Sequence, residues 1–326
     1  MLIPVLMILA GFTLLIWSAD RLVVGASSIA RNLGISPLVI GLTIVGFGTS
    51  APELVVSAIA ALEGTPGLAV GNALGSNVAN IGLILGVTIL LIPLQVQSST
   101  LKREFPVLLA MTAATLLLLL DGHISRLDGG LLFAALLGVS AWFVYGSLRT
   151  APEADPLIHE IQQEIPDTLP MKRALPWLIV GLVLLPLSSQ LLVHGASDIA
   201  RMLGISDTII GLTIVALGTS LPELAAAIAS AAKKEDDLAL GNILGSNLFN
   251  LLGVLGVAGL LHPLQLDDSV LTRDYPVMFA MTVALALLAL FPGQARRIPR
   301  SGGAFLLIVY LAYQGHLFWH VFQGES

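Results

Sequence analysis

The sequence predicts an all-α polytopic membrane protein built as ten transmembrane helices in two inverted five-helix repeats. Three observations predict it: the composition, the spacing of apolar runs, and a duplicated motif. Of 326 residues, 56% are hydrophobic and 11% charged. A soluble domain carries about 25% charged residues, so a water-soluble globule and a disordered chain are both excluded. Cysteine is absent, which removes disulfides, thiolate ligands and cysteine nucleophiles. The net charge of −6 with scattered basic residues makes nucleic acid an unsuitable partner.

Apolar runs long enough to cross a bilayer fall near 2–19, 37–62, 68–92, 104–121, 127–148, 174–193, 208–232, 238–261, 274–292 and 302–322. The first run has neither a basic leader nor a small-residue cleavage site, so it reads as a retained helix. Every Lys and Arg lies between the runs or at their ends. Twelve of the fifteen, including Arg21, Arg31, Lys102, Arg103, Lys233 and Lys234, fall after odd-numbered runs. Only Arg126, Arg201 and Arg273 fall after even ones. The positive-inside rule then puts the odd loops in the cytoplasm and both termini outside. The longest connection, 149–173, is acidic and proline-spaced (Pro152, Pro156, Pro166, Pro170) and reads as a cytoplasmic tether.

That tether separates two similar halves, 1–148 and 174–326. Residues 41–53, GLTIVGFGTSAPE, match 211–223, GLTIVALGTSLPE, at 10 of 13 positions. Residues 71–80, GNALGSNVAN, match 241–250, GNILGSNLFN, at 7 of 10. A constant offset of 170 relates the motifs spanning 41–80 and 211–250, and pairs Gly25 with Gly195 and Arg103 with Arg273. Each half holds an odd number of spans, so the second enters the membrane with opposite polarity. Inverted repeats of this kind recur in secondary transporters, with substrate near the midplane.

The similarity is strongest on polar residues inside apolar runs. Among 21 acidic residues, only Glu53 and Glu223 are expected deep within a span. Each costs at least ~2.5–3.5 kcal/mol at a helix centre. Thr49 and Glu53 share a helix face, with Ser50 beside them. Pro52 removes a backbone donor and frees carbonyls near Gly48 and Thr49. Thr219, Ser220, Pro222 and Glu223 repeat the element. The next span of each half adds a polar stripe: Asn72, Ser76 and Asn80, then Asn242, Ser246 and Asn250, with Asn77 and Asn247 alongside. Asn72, Asn77 and their mates fit interhelical packing as well as ligation, whereas Ser76, Asn80, Ser246 and Asn250 are placed to reach the site. Helices 2, 3, 7 and 8 are therefore predicted to be broken around a midplane ion site. Its donors are all oxygens, which disfavours zinc and copper. Calcium takes 6–8 oxygens and two carboxylates balance its charge, while magnesium dehydrates reluctantly. Sodium also takes oxygen ligands, so a cage of this kind suits competition between calcium and sodium.

GFGTSAPE with GNALGSNVAN, and ALGTSLPE with GNILGSNLFN, resemble the two alpha-repeats of the cation/calcium exchanger superfamily, most closely prokaryotic sodium/calcium exchangers. The resemblance covers nearly the whole chain. It implies a sodium/calcium antiporter working by alternating access, with spans 1 and 6 moving against an eight-helix core. It implies Glu53 and Glu223 as central ligands for both ions. Thr49, Ser50, Ser76, Thr219, Ser220 and Ser246 would add side-chain oxygens, and Gly46 and Ala216 backbone carbonyls. Asn80 and Asn250 would be polar partners at the centre. Potassium-dependent relatives carry Asp where this chain has Asn250. Proton/calcium antiporters of the superfamily show G-N-A-x-E around the glutamate, whereas this chain has G-T-S-x-P-E, which favours sodium. No resident cofactor is implied. The partners are calcium, sodium and membrane lipid, the protein is expected to work as a monomer, and the location is the plasma (inner) membrane of a prokaryote.

Other classes compete less well. A proton/calcium or broader cation/proton exchanger would use the same glutamates. A channel would need fast exit from a two-carboxylate cage that binds calcium tightly. An enzyme would need a Ser–His pair, a His-Glu-x-x-His helix or paired aspartates. His159-Glu160 sits in the tether and lacks a second ligand at helical spacing.

Overall fold

The computed structural model describes residues 2–64, 66–96, 98–149, 169–203, 216–290 and 297–323. Most of the tether and residues 211–215 of the second motif lie outside the described residues. Among the described residues, six helices are long and apolar enough to cross a membrane: Leu2–Leu33, Gly67–Leu91, Arg126–Gly146, Met171–Ile199, Asp236–Leu261 and Val270–Leu290. A seventh candidate is the pair Pro37–Thr49 and Ala51–Leu62, which meet at a 47° bend.

The chain packs as two compact units, and each takes segments from both sequence halves. One comprises Met1–Thr49 with Leu137–Asn242. Its main packing is between the helices Leu2–Leu33 and Met171–Met202, each of 32 residues. The sequence places the ends of the first and sixth spans near 19 and 193, but both helices run on. Nothing between Ala19 and Leu33 breaks a helix, and the stop comes at Gly34. There φ is +65°, Gly34 N–H donates to Arg31 O and Ile35 N–H to Ala30 O. This is the glycine-terminated cap in which a left-handed residue satisfies the last carbonyls. At 1.5 Å per residue each helix is about 48 Å long, against ~30 Å of hydrocarbon. Arg21 and Arg31, counted with the loops in the sequence, therefore stand on the helix itself.

These two helices are repeat mates and they run antiparallel. A Cβ on Gly11 would lie 2.8 Å from Leu192 N, and one on Gly181 2.6 Å from Leu22 Cα. Gly25 faces Leu178, and Gly195 faces Pro4 and Ile8. The numbers rise on one helix as they fall on the other. The 170-residue offset also maps Gly11–Leu192 onto Gly181–Leu22, and Gly25–Leu178 onto Gly195–Ile8. Four glycines thus let two backbones approach through equivalent notches. The outer faces display Leu6, Leu9, Phe12 and Ile16 on one helix and Ile179, Val183 and Leu187 on the other, as lipid-facing surfaces require. Arg21 lies over Trp177 at 4.8 Å and Trp17 at 5.6 Å, a cation held on two aromatic faces.

The second unit comprises Ser50–Leu136 with Ile243–Ser326. Gly86 and Gly303 meet backbone to backbone, a Cβ on Gly303 falling 2.7 Å from Gly86 O. The repeat-related contact, Gly256 with Phe133 N at 3.0 Å, is present as well. A short antiparallel ribbon pairs His123 with Gln265 and Ile124 with Leu264, a β element that the all-α reading omits. Tyr275 Oη donates to Thr112 O at 2.6 Å, tying two further repeat-mate helices, Ser98–Leu119 and Tyr275–Leu290, together. The windows of Gly67–Leu91 and Asp236–Leu261 are 72% and 89% buried, against 28% for Leu2–Leu33. The two stripe-bearing helices are therefore interior ones.

The third and eighth helices differ from expectation. Neither is interrupted. Each continues through a wide π turn, Asn80–Leu85 and Phe249–Val254. Glycines in GxxxG spacing loosen a helix, but with no proline there the chain absorbs the irregularity as a widened turn. Such turns concentrate at functional sites, and both contain a stripe asparagine, Asn80 or Asn250.

Candidate functional site

The site is built from the first motif upward. Pro37 starts a helix capped by Ser36, whose Oγ accepts from Leu38 N–H at 3.2 Å. A π turn over Gly41–Val45 follows, then Gly46–Thr49. The helix breaks at Ser50, with φ −88° and ψ 6°. Ser220 breaks the second motif in the same way, with φ −92° and ψ 0°. This bridge region is sparsely populated and holds many active-site residues. Pro52 and Pro222, the second residues of the following helices, lack the N–H that would close the preceding turn. Glu53 and Glu223 then fall in the first turn of Ala51–Leu62 and Leu221–Ala232, where the helix N-terminus favours negative charge.

In the unit containing residues 137–242, the described site residues are Gly46, Thr49, Thr219, Ser220 and Glu223. Thr49 and Glu223 are buried at 1% and 2% exposure. The Gly46–Thr49 turn packs against Leu221–Ala232, which carries Glu223. Thr49 Oγ1 donates to Asn242 Oδ1 at 3.1 Å and lies 3.4 Å from Gly46 O. Ser189 Oγ donates to Gly218 O, so the turn before the second break is held from the Met171–Met202 helix. For Ala216, the backbone begins a helical turn and the side chain lies outside the described residues.

The unit containing residues 50–136 holds Ser50, Glu53, Ser76, Asn80, Ser246 and Asn250, all buried. The Ala51–Leu62 helix packs against Pro66–Ala79 and against the π turn that carries Asn250. Asn72 Nδ2 donates to Glu53 O at 3.0 Å and to Ser57 Oγ at 2.9 Å, while Ser57 Oγ donates to Ala69 O. Asn77 Nδ2 donates to Asn247 O at 3.2 Å, and Asn80 Nδ2 to Asn247 Oδ1 at 3.0 Å. Asn250 is 1% exposed, and neither Oδ1 nor Nδ2 has a hydrogen-bond partner among the described residues. An amide left unbonded in such surroundings costs several kcal/mol, of order 2–7.

Two points correct the sequence reading. Glu104 is 4% exposed, so Glu53 and Glu223 are not alone as buried acids. Its helix starts at Ser98, six residues before the apolar run, which carries the acid inside the packed region beside Arg103. Ser57, four residues after Glu53 on the same helical face, belongs to the site's polar cluster as well, and that spacing is its signal in the sequence.

A duplicated motif thus places buried carboxylates, hydroxyls and amides on interior apolar helices of a polytopic membrane protein. The sequence profile described as sodium/calcium exchanger protein matches residues 3–146 and 173–319. The chain belongs to that family. It is 52% identical to CaxA of Alkalimonas amylolytica over 98% of this chain and 99% of that one. It is 31% identical to the sodium/calcium exchanger MaX1 of Methanosarcina acetivorans, covering 96% and 98%. The solved structure of the sodium-calcium exchanger NCX_Mj soaked with zero Na+ and Ca2+ is similar at a TM-score of 0.84 and 32% identity. That match covers 97% of this chain and 99% of the other.

Proposed function

We propose that the protein is a cation/calcium antiporter that exchanges sodium for calcium by alternating access. The observation that carries the reading is the pair of breaks at Ser50 and Ser220, nearly identical in backbone angles, each followed by a buried glutamate. Glu53 and Glu223 supply the two negative charges that balance one calcium ion. Thr49, Ser50, Ser76, Thr219, Ser220 and Ser246 add hydroxyl oxygens, Gly46 and Ala216 backbone carbonyls, and Asn80 and Asn250 amide oxygens. Sodium occupies overlapping oxygens, so the two cargos exclude each other and the empty, charged state is bypassed.

The ten-span inverted arrangement with both termini outside belongs to the same proposal, as does function as a monomer. The reciprocal glycine notches of Leu2–Leu33 and Met171–Met202 support movement of that pair as a unit. An inner-membrane location is supported by 41% identity over 98% of this chain to inner membrane protein YrbG of Escherichia coli K12.

The test is radioactive calcium uptake into proteoliposomes, with sodium and proton gradients imposed separately. An outward sodium gradient is expected to drive uptake. Uptake that responds only to a proton gradient overturns sodium coupling in favour of proton/calcium antiport.

A further inference from the structure

A hydroxyl or an amide serves a cation only through its lone pairs. Its protons must therefore be taken by acceptors on another side. In water the solvent takes them. In a buried site the protein must, and the structure has an acceptor at two such places, neither of them among the cargo ligands. Thr49 Oγ1–H points to Asn242 Oδ1 at 3.1 Å, a nearer acceptor than Gly46 O at 3.4 Å. Asn80 Nδ2–H points to Asn247 Oδ1 at 3.0 Å. The amide of Asn80 is planar, so fixing Nδ2 on Asn247 turns Oδ1 to the opposite edge. Asn242 and Asn247 are each 1% exposed, so water does not substitute for them. Asn247 is itself held, because Asn77 Nδ2 donates to its main-chain carbonyl at 3.2 Å and also approaches Met278 Sδ at 3.5 Å.

We infer that Asn242 and Asn247 are positioning residues that set the polarity of the cation ligands, taking the protons of Thr49 and Asn80 so that only lone pairs face the cargo. This rests on the reading of Thr49 and Asn80 as cargo ligands. Residues that orient metal ligands in this way typically change affinity 10–100-fold when removed. Replacing either asparagine by leucine keeps the branched shape and the number of side-chain heavy atoms and removes the acceptor. Replacing it by aspartate keeps the acceptor.

The experiment uses the full chain and measures calcium binding in detergent, sodium-driven calcium uptake in proteoliposomes, and the thermal midpoint without ions. Asn242→Leu and Asn247→Leu are expected to raise the calcium half-saturation at least about tenfold, with maximal uptake within about twofold of wild type and the ion-free midpoint unchanged. Asn242→Asp and Asn247→Asp are expected to stay within about threefold of wild type in half-saturation, a rescue that loss of packing does not predict. Should a leucine variant fail to insert, the alanine variant at that position is read by the same criteria. Wild-type affinity in the leucine or alanine variants overturns the inference alone, as does equal loss in the leucine and aspartate pairs. A wild-type protein that neither binds nor transports calcium overturns the antiporter reading, and this inference with it.

Discussion

At the scale of single residues, Glu53 and Glu223 are both buried. On the proposed function, Glu53→Gln and Glu223→Gln each remove one of the two charges that would balance calcium. Both are expected to abolish sodium-driven calcium uptake while the protein still inserts and purifies normally, and full transport in either variant refutes the assignment. A third carboxylate, Glu235, is governed by solvation. Glu235 follows Lys234 in the turn after the Leu221–Ala232 helix and pairs with Arg31. Burial pushes its carboxyl above the ordinary 4.5, and the Arg31 guanidinium and Ser27 only partly offset this. A carboxyl raised in the folded state contributes stability below its unfolded value, and that contribution is lost as pH rises through its folded value. Glu235→Gln stays neutral throughout. Its thermal midpoint is expected to equal that of wild type near pH 4 and to exceed it at pH 8. A wild-type advantage at pH 8 would show that the ion pair outweighs the desolvation.

At the scale of elements, backbone geometry keeps the two halves alike at a position where their sequences differ. Gly64 has φ +73°, and its repeat mate Lys234 has φ 60°. Both end a helix, and Lys234 N–H donates to Ala231 O while Glu235 N–H donates to Ser230 O. A non-glycine residue in the left-handed region costs about 1–2 kcal/mol. Lys234→Gly is therefore expected to stabilise the protein by ~1 kcal/mol, read as a raised thermal midpoint in detergent. The converse holds at the helix crossing. A valine at Gly181 drives its Cβ into Leu22, and overpacking of this kind costs about 1–3 kcal/mol. Gly181→Val is expected to lower the midpoint accordingly. Gly138→Ala, where a Cβ meets nothing within 4 Å, is expected to leave it unchanged or raise it.

At the scale of the whole molecule, the repeat and the packing follow different divisions. Sequence similarity pairs 1–148 with 174–326, whereas each compact unit takes segments from both. The two halves depend on each other for burial, so neither is expected to fold alone. The acidic tether stands apart from this. Deleting residues within 153–167 is expected to spare sodium-driven calcium uptake in proteoliposomes, and loss of flux in a well-inserted deletion would give the tether a role beyond connection.

Membrane residence and the duplication were legible in the residues, because hydrophobicity and motif identity are one-dimensional properties. The breaks beside Glu53 and Glu223 were legible for the same reason, since a proline two residues after Ser50 and Ser220 acts locally. Long-range facts were not. Whether Asn242 accepts from Thr49, whether Asn250 stays unbonded, and whether the third helix breaks or widens all depend on which backbone lies across from each side chain. That choice is made only when glycine notches and interior helices settle into one packing, at distances of an ångström or less that no local pattern encodes.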